Sequence, residues 1–293
     1  MAAYDEVLDI LPGGGVQVQE AWLGKARAFG RLGNAAKAEE AFKSSLQEDE
    51  DVADGMSGEA GAWRRRGAME AHAALAALAM TDGRAHEAVL RYTEAVEAAQ
   101  QELAIAACGS SGSPEGGDDL GYTLRTLRCH RAAALLAVAD YDGALQDCDA
   151  VLRERVAARA DALLVAFITR AQCRAAVGDW GRATEDYTAY LDATRQADAE
   201  SSLDPSPEAA ARRRQRAQVL LKRSEALVGT ALALPVSDST RSELQSLYTA
   251  ALMDLEHCEA TCTDLDIVAA AAEMRKSIRG DESDIVRKGP SAR

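Results

Sequence analysis

Apolar positions recur along this chain at the spacing of helix faces, and one pattern of small, turn-forming and bulky residues occurs four times. A small residue is followed after seven positions by a turn residue, after five more by Ala, and after four more by a bulky or apolar residue. Residues three and four apart share a helix face, and Gly commonly ends a helix. The pattern therefore predicts four helical hairpins that cross at their small residues. The sets are Ala26, Gly33, Ala38 and Phe42; Ala76, Gly83, Ala88 and Tyr92; Ala132, Ala139, Ala144 and Cys148; and Ala171, Gly178, Ala183 and Tyr187.

A fifth hairpin is predicted in altered form. Residues 222–227 have the composition of a first helix, and residues 251–255 repeat the pattern of residues 144–148. Between them, a stretch that contains Pro235 lengthens the turn, because proline interrupts a helix. Residues 265–279 are amphipathic, and we expect them to cap the open end of the stack.

The predicted organisation is a linear array that starts inside a repeat. Tyr4, Val7, Leu8 and Pro12 match the second half of a second helix. Either the chain is part of a longer protein or a lone helix caps its N-terminus. In chain order we expect a half repeat at 1–14, hairpins at 19–52, 69–102, 125–158, 164–197 and 212–262, a flexible loop at 103–124, a capping helix at 265–279 and a flexible tail at 280–293.

Together with Trp22, an aromatic residue four positions before Ala26, the recurring spacing resembles the tetratricopeptide family. The helix-turn-helix repeat of that family has about 34 residues. The resemblance implies an all-α fold, namely a right-handed α-solenoid of such repeats with a C-terminal capping helix. It also implies a concave surface, formed by the first helix of each hairpin, on which other proteins bind.

Residues 68–193 resemble the tetratricopeptide domains of J-domain co-chaperones. The likeness is carried by RCHRAAALLAVADYDGALQDCDAVL (128–152) and AFITRAQCRAAVGDWGRATEDY (166–187). No His in the chain is followed by Pro-Asp, so the tripeptide that such co-chaperones use to stimulate a chaperone ATPase is absent. The resemblance therefore implies a chaperone-linked adaptor without a J domain.

Many domains of that class bind the acidic C-terminal tail of a chaperone through five polar side chains. The resemblance places those five positions on Ala73, Ala77, His130, Val165 and Thr169. None of the five expected polar groups is present, so a bound carboxylate would lose several charge-assisted hydrogen bonds. We therefore do not expect an acidic chaperone tail as the partner.

In place of the clamp, the first helices present mainly apolar side chains to the predicted groove. A helical or extended apolar segment of a partner protein would fit such a surface. The alternative is that neighbouring helices or the loop of the chain itself fill it. The predicted groove residues are Ala73, Ala77, Met80, Cys129, His130, Ala133, Leu136, Ile168, Thr169 and Gln172.

Composition narrows the classes of partner. The chain has a formal net charge of -14 and only 4% aromatic residues, so we expect neither nucleic acid nor membrane as a ligand. Two basic runs, Arg64–Arg66 and Arg212–Arg216, are interpreted as solvated helix starts that pair with local acids such as Glu208. The six cysteines follow no disulfide pattern, which favours reduced thiols and a cytoplasmic protein.

No combination of residues favours catalysis or a cofactor. Cys258 and Cys262 lie one turn apart beside His257, but a closed zinc site needs four ligands, so core packing is the preferred interpretation. Cys129 and His130 are adjacent but lack an oxyanion feature or an orienting acid. We expect no enzyme activity, no metal and no cofactor.

Two functional hypotheses remain open. The first is a non-enzymatic scaffold or adaptor, chaperone-associated by resemblance, that binds a partner segment in its groove. The second is a structural subunit of a large assembly, which contacts its neighbours through outer faces and loops.

Overall fold

All regular structure in the described part of the chain is helical, which confirms the all-α prediction. The computed structural model describes residues 16–50, 59–108, 114–154, 160–201, 204, 206–235, 237 and 239–287. These residues form α1 Val16–Arg31, α2 Ala35–Glu50, α3 Glu59–Thr81, α4 Ala85–Cys108, α5 Pro114–Ala137, α6 Tyr141–Arg153, α7 Ala160–Ala176, α8 Trp180–Ser201, α9 Pro207–Ala233, α10 Arg241–Thr261 and α11 Leu265–Arg287. The predicted half repeat at 1–14 lies outside the described residues.

The chain divides into two compact units, Met1–Leu163 and Leu164–Arg293. In the first unit α1 pairs with α2, α3 with α4 and α5 with α6, and each hairpin packs on the next through contacts of α2 with α3 and of α4 with α5. In the second unit α8, α9 and α10 each pack on the helix that follows, and α9 also reaches α11. Each unit is therefore a run of antiparallel helical hairpins.

Four turns end the first helix of a hairpin in the same way. Gly33, Gly83, Ala139 and Gly178 have φ angles of 73°, 74°, 62° and 82°, in the left-handed region. In each turn this residue donates its N–H to the carbonyl three residues earlier, and the next residue donates to the carbonyl five residues earlier, at 2.8–3.2 Å. This Schellman arrangement satisfies carbonyls that a helix end leaves open.

The residue after each left-handed position begins the next helix. Asn34 and Asp140 accept hydrogen bonds from the N–H groups of Lys37 and Gly143 at 3.2 and 3.0 Å. Such caps satisfy N–H groups that have no partner inside the helix. Arg84 occupies this position in the second turn and instead forms ion pairs with Glu39, Asp82 and Glu87. One residue thus ends the first helix of the hairpin and the next residue caps the second helix, which explains why the connections between them are short.

The small residues of the recurring pattern lie where the helices of each hairpin cross, as predicted. All eight are at most 1% exposed, so a larger side chain would force the helices apart. The bulky positions Phe42, Tyr92, Cys148 and Tyr187 are also buried, which confirms the packing role of Cys148. The buried small residues are Ala26, Ala38, Ala76, Ala88, Ala132, Ala144, Ala171 and Ala183.

The altered fifth hairpin and the additional helix are both present. Helices α9 and α10 form the hairpin, and Ala251 and Leu255 of α10 are fully buried. Helix α11 packs on α10 through its buried residues Ile267, Ala271 and Ile278. The opposite side of α11 is exposed and carries Ala and charged residues, as expected for a terminal helix.

The prediction of two flexible segments was wrong over much of their length. The loop expected at 103–124 is largely helical, because α4 continues to Cys108 and α5 begins at Pro114. Proline is favoured in the first turn of a helix. Leu120 and Leu124, in the turns that follow, are buried and anchor the helix to the core. The tail expected at 280–293 is helical through Arg287, as a continuation of α11.

Three hairpins carry a paired Arg and Asp that the sequence analysis did not identify. Arg131 binds Asp147 with two hydrogen bonds of 2.7 Å, and Arg223 binds Asp254 in the same bidentate way at 2.7 and 2.5 Å. In the second unit Arg170 binds Asp186 at 2.9 and 2.6 Å. The Arg lies on the first helix and the Asp on the second, so each pair fixes how the two helices meet.

Exchanging Gly and Ala at two equivalent turns should change stability in opposite directions. Ala139→Gly relieves a left-handed Ala and should raise the free energy of unfolding by about 1 kcal/mol. Gly83→Ala creates the same strain, with open space around the added methyl group, and should lower it by about 1 kcal/mol. Urea titrations followed by circular dichroism measure both. Changes of the same sign would show that backbone strain does not control these turns.

Removing one member of a buried Arg–Asp pair should cost more than removing an exposed ion pair. Asp147→Ala leaves the Arg131 guanidinium without its carboxylate. We expect this to lower the free energy of unfolding by about 2–3 kcal/mol. The double variant Arg131→Met with Asp147→Leu should recover most of that loss. Lys43→Ala, which removes an exposed pair with Glu39, is the control and should cost at most about 0.5 kcal/mol. Equal losses for Asp147→Ala and Lys43→Ala would contradict the importance of burial.

Candidate functional site

The predicted groove residues fall in both units, and each set is described within its own unit. In the first unit Ala73, Ala77 and Met80 lie on α3, and four further residues lie on α5. In the second unit Ile168, Thr169 and Gln172 lie on α7. Ile168 and Gln172 are half-buried, whereas Thr169 is buried. The Thr169 side chain is therefore not accessible to a partner.

On α5, Ala133 and Leu136 are half-buried and His130 is exposed, but Cys129 is buried. The thiol of Cys129 donates a hydrogen bond to the carbonyl oxygen of Ala162 at 3.3 Å. Cys129, like Thr169, therefore cannot line an accessible groove. The ring of His130 lies 5.7 Å from that of Tyr92, and desolvation there lowers the pKa of His130.

A groove of about 430 Å³ lies between α3 and α5 in the first unit. Helix α4 packs on both of these helices. The apolar part of the groove is formed by Met69, Ala73, Leu120 and Leu127, and Met69 and Ala73 also pack on the core of the second hairpin. The remaining lining residues are polar: Arg66, Glu70, Asp119 and Thr123.

The groove lies two to three helical turns closer to the helix N-termini than the predicted residues, because its lining falls at 66–73 on α3 and at 119–127 on α5. Of the ten predicted residues only Ala73 lines it, whereas Met69, Leu120 and Leu127 were missed. The predicted hairpins began at 69 and 125, whereas α3 begins at Glu59 and α5 at Pro114. Leu120, Leu124 and Leu127 recur at helical spacing, and this signal could have extended α5 toward its N-terminus.

One face of α3 leads from the groove to an exposed tryptophan. The side chain of Trp63 is 58% exposed, although large aromatic residues are usually well buried. Spacings of three, four and seven residues place Trp63 on the same face as the groove residues Arg66 and Glu70. Ala77, further along this face, is exposed as well. The accessible surface therefore extends beyond the groove at both ends.

The charged residues of the groove differ in how well they are paired. Glu70 accepts hydrogen bonds from the guanidinium of Arg27 through both carboxylate oxygens. Arg66 lies 4.0 Å from Glu102, whose other oxygen is bound by Arg65 at 2.5 Å. The 4.0 Å distance between Arg66 and Glu102 is too long for a hydrogen bond.

The buried thiols show no sign of reactivity, and the described residues show no sign of metal binding. Burial raises the pKa of Cys129 to about 12, and that of Cys258 to about 11. Cys258 and Cys262 are both buried, and no cluster of three or more metal-ligating side chains occurs in the described ranges. The Cys129–His130 neighbourhood therefore offers no thiolate nucleophile near neutral pH.

The second basic run is paired locally, although not with the acid expected from the sequence. Arg213 donates to the carbonyl oxygen of Asp204 at 2.9 Å, and Arg216 donates to Leu191 at 3.2 Å. Arg214 forms an ion pair of 2.8 Å with Asp264. These contacts tie the start of α9 to its neighbours in the second unit.

No protein-family profile matches the chain, and no curated protein is similar to it in sequence. Several solved structures resemble its fold. The apo form of RapI has 11% identity and a TM-score of 0.48, over 98% of this chain and 80% of that one. A Rap protein in complex with competence and sporulation factor has 14% identity and a TM-score of 0.43, over 96% and 81%. A tetratricopeptide repeat protein from Parabacteroides merdae has 14% identity and a TM-score of 0.27, over 90% and 99%.

These similarities concern the helical fold alone, and their TM-scores are too low to support a functional argument. The hairpins have left-handed turns and buried small residues, the features that the resemblance to tetratricopeptide repeats implies. Within the described ranges, no helix has both the length and the apolar character needed to cross a membrane.

Accessibility and pKa together predict which cysteine reacts in the folded protein. All six cysteines are free thiols, and only Cys108 is exposed. N-ethylmaleimide at pH 7.5 should add one group to the native chain, at Cys108, and six after denaturation. Mass spectrometry of proteolytic peptides identifies the modified residues. Rapid native labelling of Cys129 or Cys258 would contradict the burial described above.

Proposed function

We propose that this chain is a non-enzymatic protein-binding module that receives an apolar segment of a partner, helical or extended, in the groove between α3 and α5. The observation that carries the proposal is the position of Trp63. It lies on the face of α3 that leads into a groove formed by Met69, Leu120 and Leu127. Exposed tryptophans are frequent among the residues that dominate binding energy at protein interfaces.

The shape of this surface favours a segment of polypeptide over a compact small molecule. The α3 face from Trp63 to Ala77 spans fourteen residues, which corresponds to about 21 Å at 1.5 Å per residue. Its apolar side chains lie in a row along one helix and are not enclosed on all sides. A helical partner segment of about four turns would match this length.

The resemblance to co-chaperones makes a chaperone-linked partner one form of the proposal. The positions matched to the carboxylate clamp in the first unit are Ala73, Ala77 and His130, which offer no Lys or Asn to a carboxylate. In the second unit the corresponding residues are Val165 and Thr169. The proposed ligand is therefore an apolar segment and not an acidic chaperone tail.

One observation supports the second candidate function, a structural subunit of a large assembly. On α4, Leu90 and Ile105 are 66% and 51% exposed. A neighbouring subunit that packed on this helix would remove both side chains from water. In this case the outer face of α4, and not the groove, would hold the partner.

Paired double variants separate the two candidate functions. The immobilised full chain is exposed to an extract of its source cells, and the retained proteins are quantified by mass spectrometry. Trp63→Ala with Ala77→Arg should reduce retention of the specific partner more than tenfold, because one interface tryptophan contributes about 2 kcal/mol or more. Leu90→Ala with Ile105→Ala, which truncates exposed side chains of similar character, should leave retention unchanged.

The opposite ranking of the two double variants would overturn groove binding and support the structural subunit. Circular dichroism of each variant establishes that the fold is intact. Loss of the partner in both folded variants would also count against the groove as the binding site.

A further inference from the structure

Two charged groups in the groove have no hydrogen-bonding partner among the described residues. The guanidinium of Arg66 on α3 comes no closer than 4.0 Å to Glu102, and the exposed carboxylate of Asp119 on α5 forms no ion pair with the described residues. By contrast, Glu70 is held by Arg27. Arg66 is thus held only by this long ion pair with Glu102, so within the described residues the opposite walls carry one weakly held cation and one anion without an ion pair.

Apolar side chains separate these two charges. Met69 and Leu120 lie on the same walls as Arg66 and Asp119, and Leu127 extends the apolar surface along α5. Arg66 and Asp119 do not form an ion pair with each other. A ligand that fills the space between the walls would thus meet an apolar surface flanked by a positive side and a negative side.

The walls also favour a helical ligand. Both are helices, whose backbone N–H and C=O groups already bond within the helix. An extended segment would find no backbone partners in these walls and would depend on water or side chains to satisfy its own backbone groups. A helical segment satisfies its own backbone and needs only side-chain contacts.

We infer that the segment bound in the groove is an amphipathic helix whose apolar stripe carries an acidic side chain on one flank and a basic side chain on the other. The acidic flank pairs with Arg66 and the basic flank with Asp119. This inference rests on the proposed function, since it assumes that the groove binds a partner, and it specifies the chemistry of that partner.

Three synthetic peptides test the charge pattern directly. Each is an 18-residue helix with Leu at positions i, i+3, i+4 and i+7, and the flanks are Glu and Lys, Glu on both sides, or Lys on both sides. Dissociation constants with the full chain are measured by fluorescence anisotropy at 0.15 M salt, where the Debye length of about 8 Å limits remote charges. The mixed peptide should bind roughly three- to tenfold more tightly than either of the others.

Charge reversal in the protein should change the preferred peptide. Arg66→Glu should shift the preference to the peptide with Lys on both flanks, and Asp119→Lys to the peptide with Glu on both flanks. Lys37→Glu and Glu97→Lys make the same changes in net charge at exposed positions outside the groove lining and should leave the order unchanged. If a reversal unfolds the chain, the neutral variants Arg66→Gln and Asp119→Asn are used instead. Each should bring the ratio of the dissociation constants of the uniform and mixed peptides closer to one.

The outcomes separate this inference from the proposed function. Binding of all three peptides with equal affinity, or an order unaffected by Arg66→Glu and Asp119→Lys, would overturn the charge pattern and leave groove binding intact. Absence of binding by every peptide would overturn the proposed function as well. A change of order in the Lys37→Glu or Glu97→Lys variant would assign the preference to net charge and refute a role for the two groove residues.

Discussion

The close crossing of two helices at a pair of alanines is the contact on which each hairpin depends. Ala76 against Ala88, for example, leaves no exposed surface at the crossing. Such an approach requires that the chain reverse within three residues, which the left-handed residue Gly83 allows. Helix ends placed one residue later would rotate the small side chains away from the contact, because each residue turns an α-helix by about 100°. The turn and the crossing therefore depend on each other, and the fixed spacing of the small residues and the turn residue in the sequence reflects both.

This constraint fixes the geometry inside a hairpin but leaves the packing between hairpins to other residues. Between the second and third hairpins, for example, the ring of Tyr92 on α4 packs near that of His130 on α5. Such contacts vary from hairpin to hairpin, since Cys148 replaces the aromatic residue found at the equivalent positions. The groove between α3 and α5 lies where hairpins two and three meet and belongs to this variable part of the structure. A repeat array can thus acquire a binding surface without altering the contacts that form its hairpins.

The hairpins could be predicted from sequence because their determinants are local, whereas the groove could not be placed accurately. The positions of Gly33, Gly83 and Gly178 directly located three turns. The segment 103–124 was misassigned because its Gly, Ser and Pro content is typical of loops, although Pro114 is compatible with the first turn of a helix. That error shortened α5 and hid Leu120. The buried Arg–Asp pairs escaped prediction because charged residues on amphipathic helices are usually solvated, and only the packing of two helices shows that Asp147 and Asp254 are buried.

The distribution of polar groups agrees with the proposed binding function. Catalysis needs titratable groups with shifted pKa values in accessible places. Here the thiols of Cys129, Cys173 and Cys258 are buried, and desolvation raises their pKa values and keeps them protonated. The groove carries a guanidinium and a carboxylate on either side of apolar side chains, an arrangement that can orient a ligand. Trp63 adds contact area and no titratable group, so the surface is suited to binding a side-chain pattern on another protein.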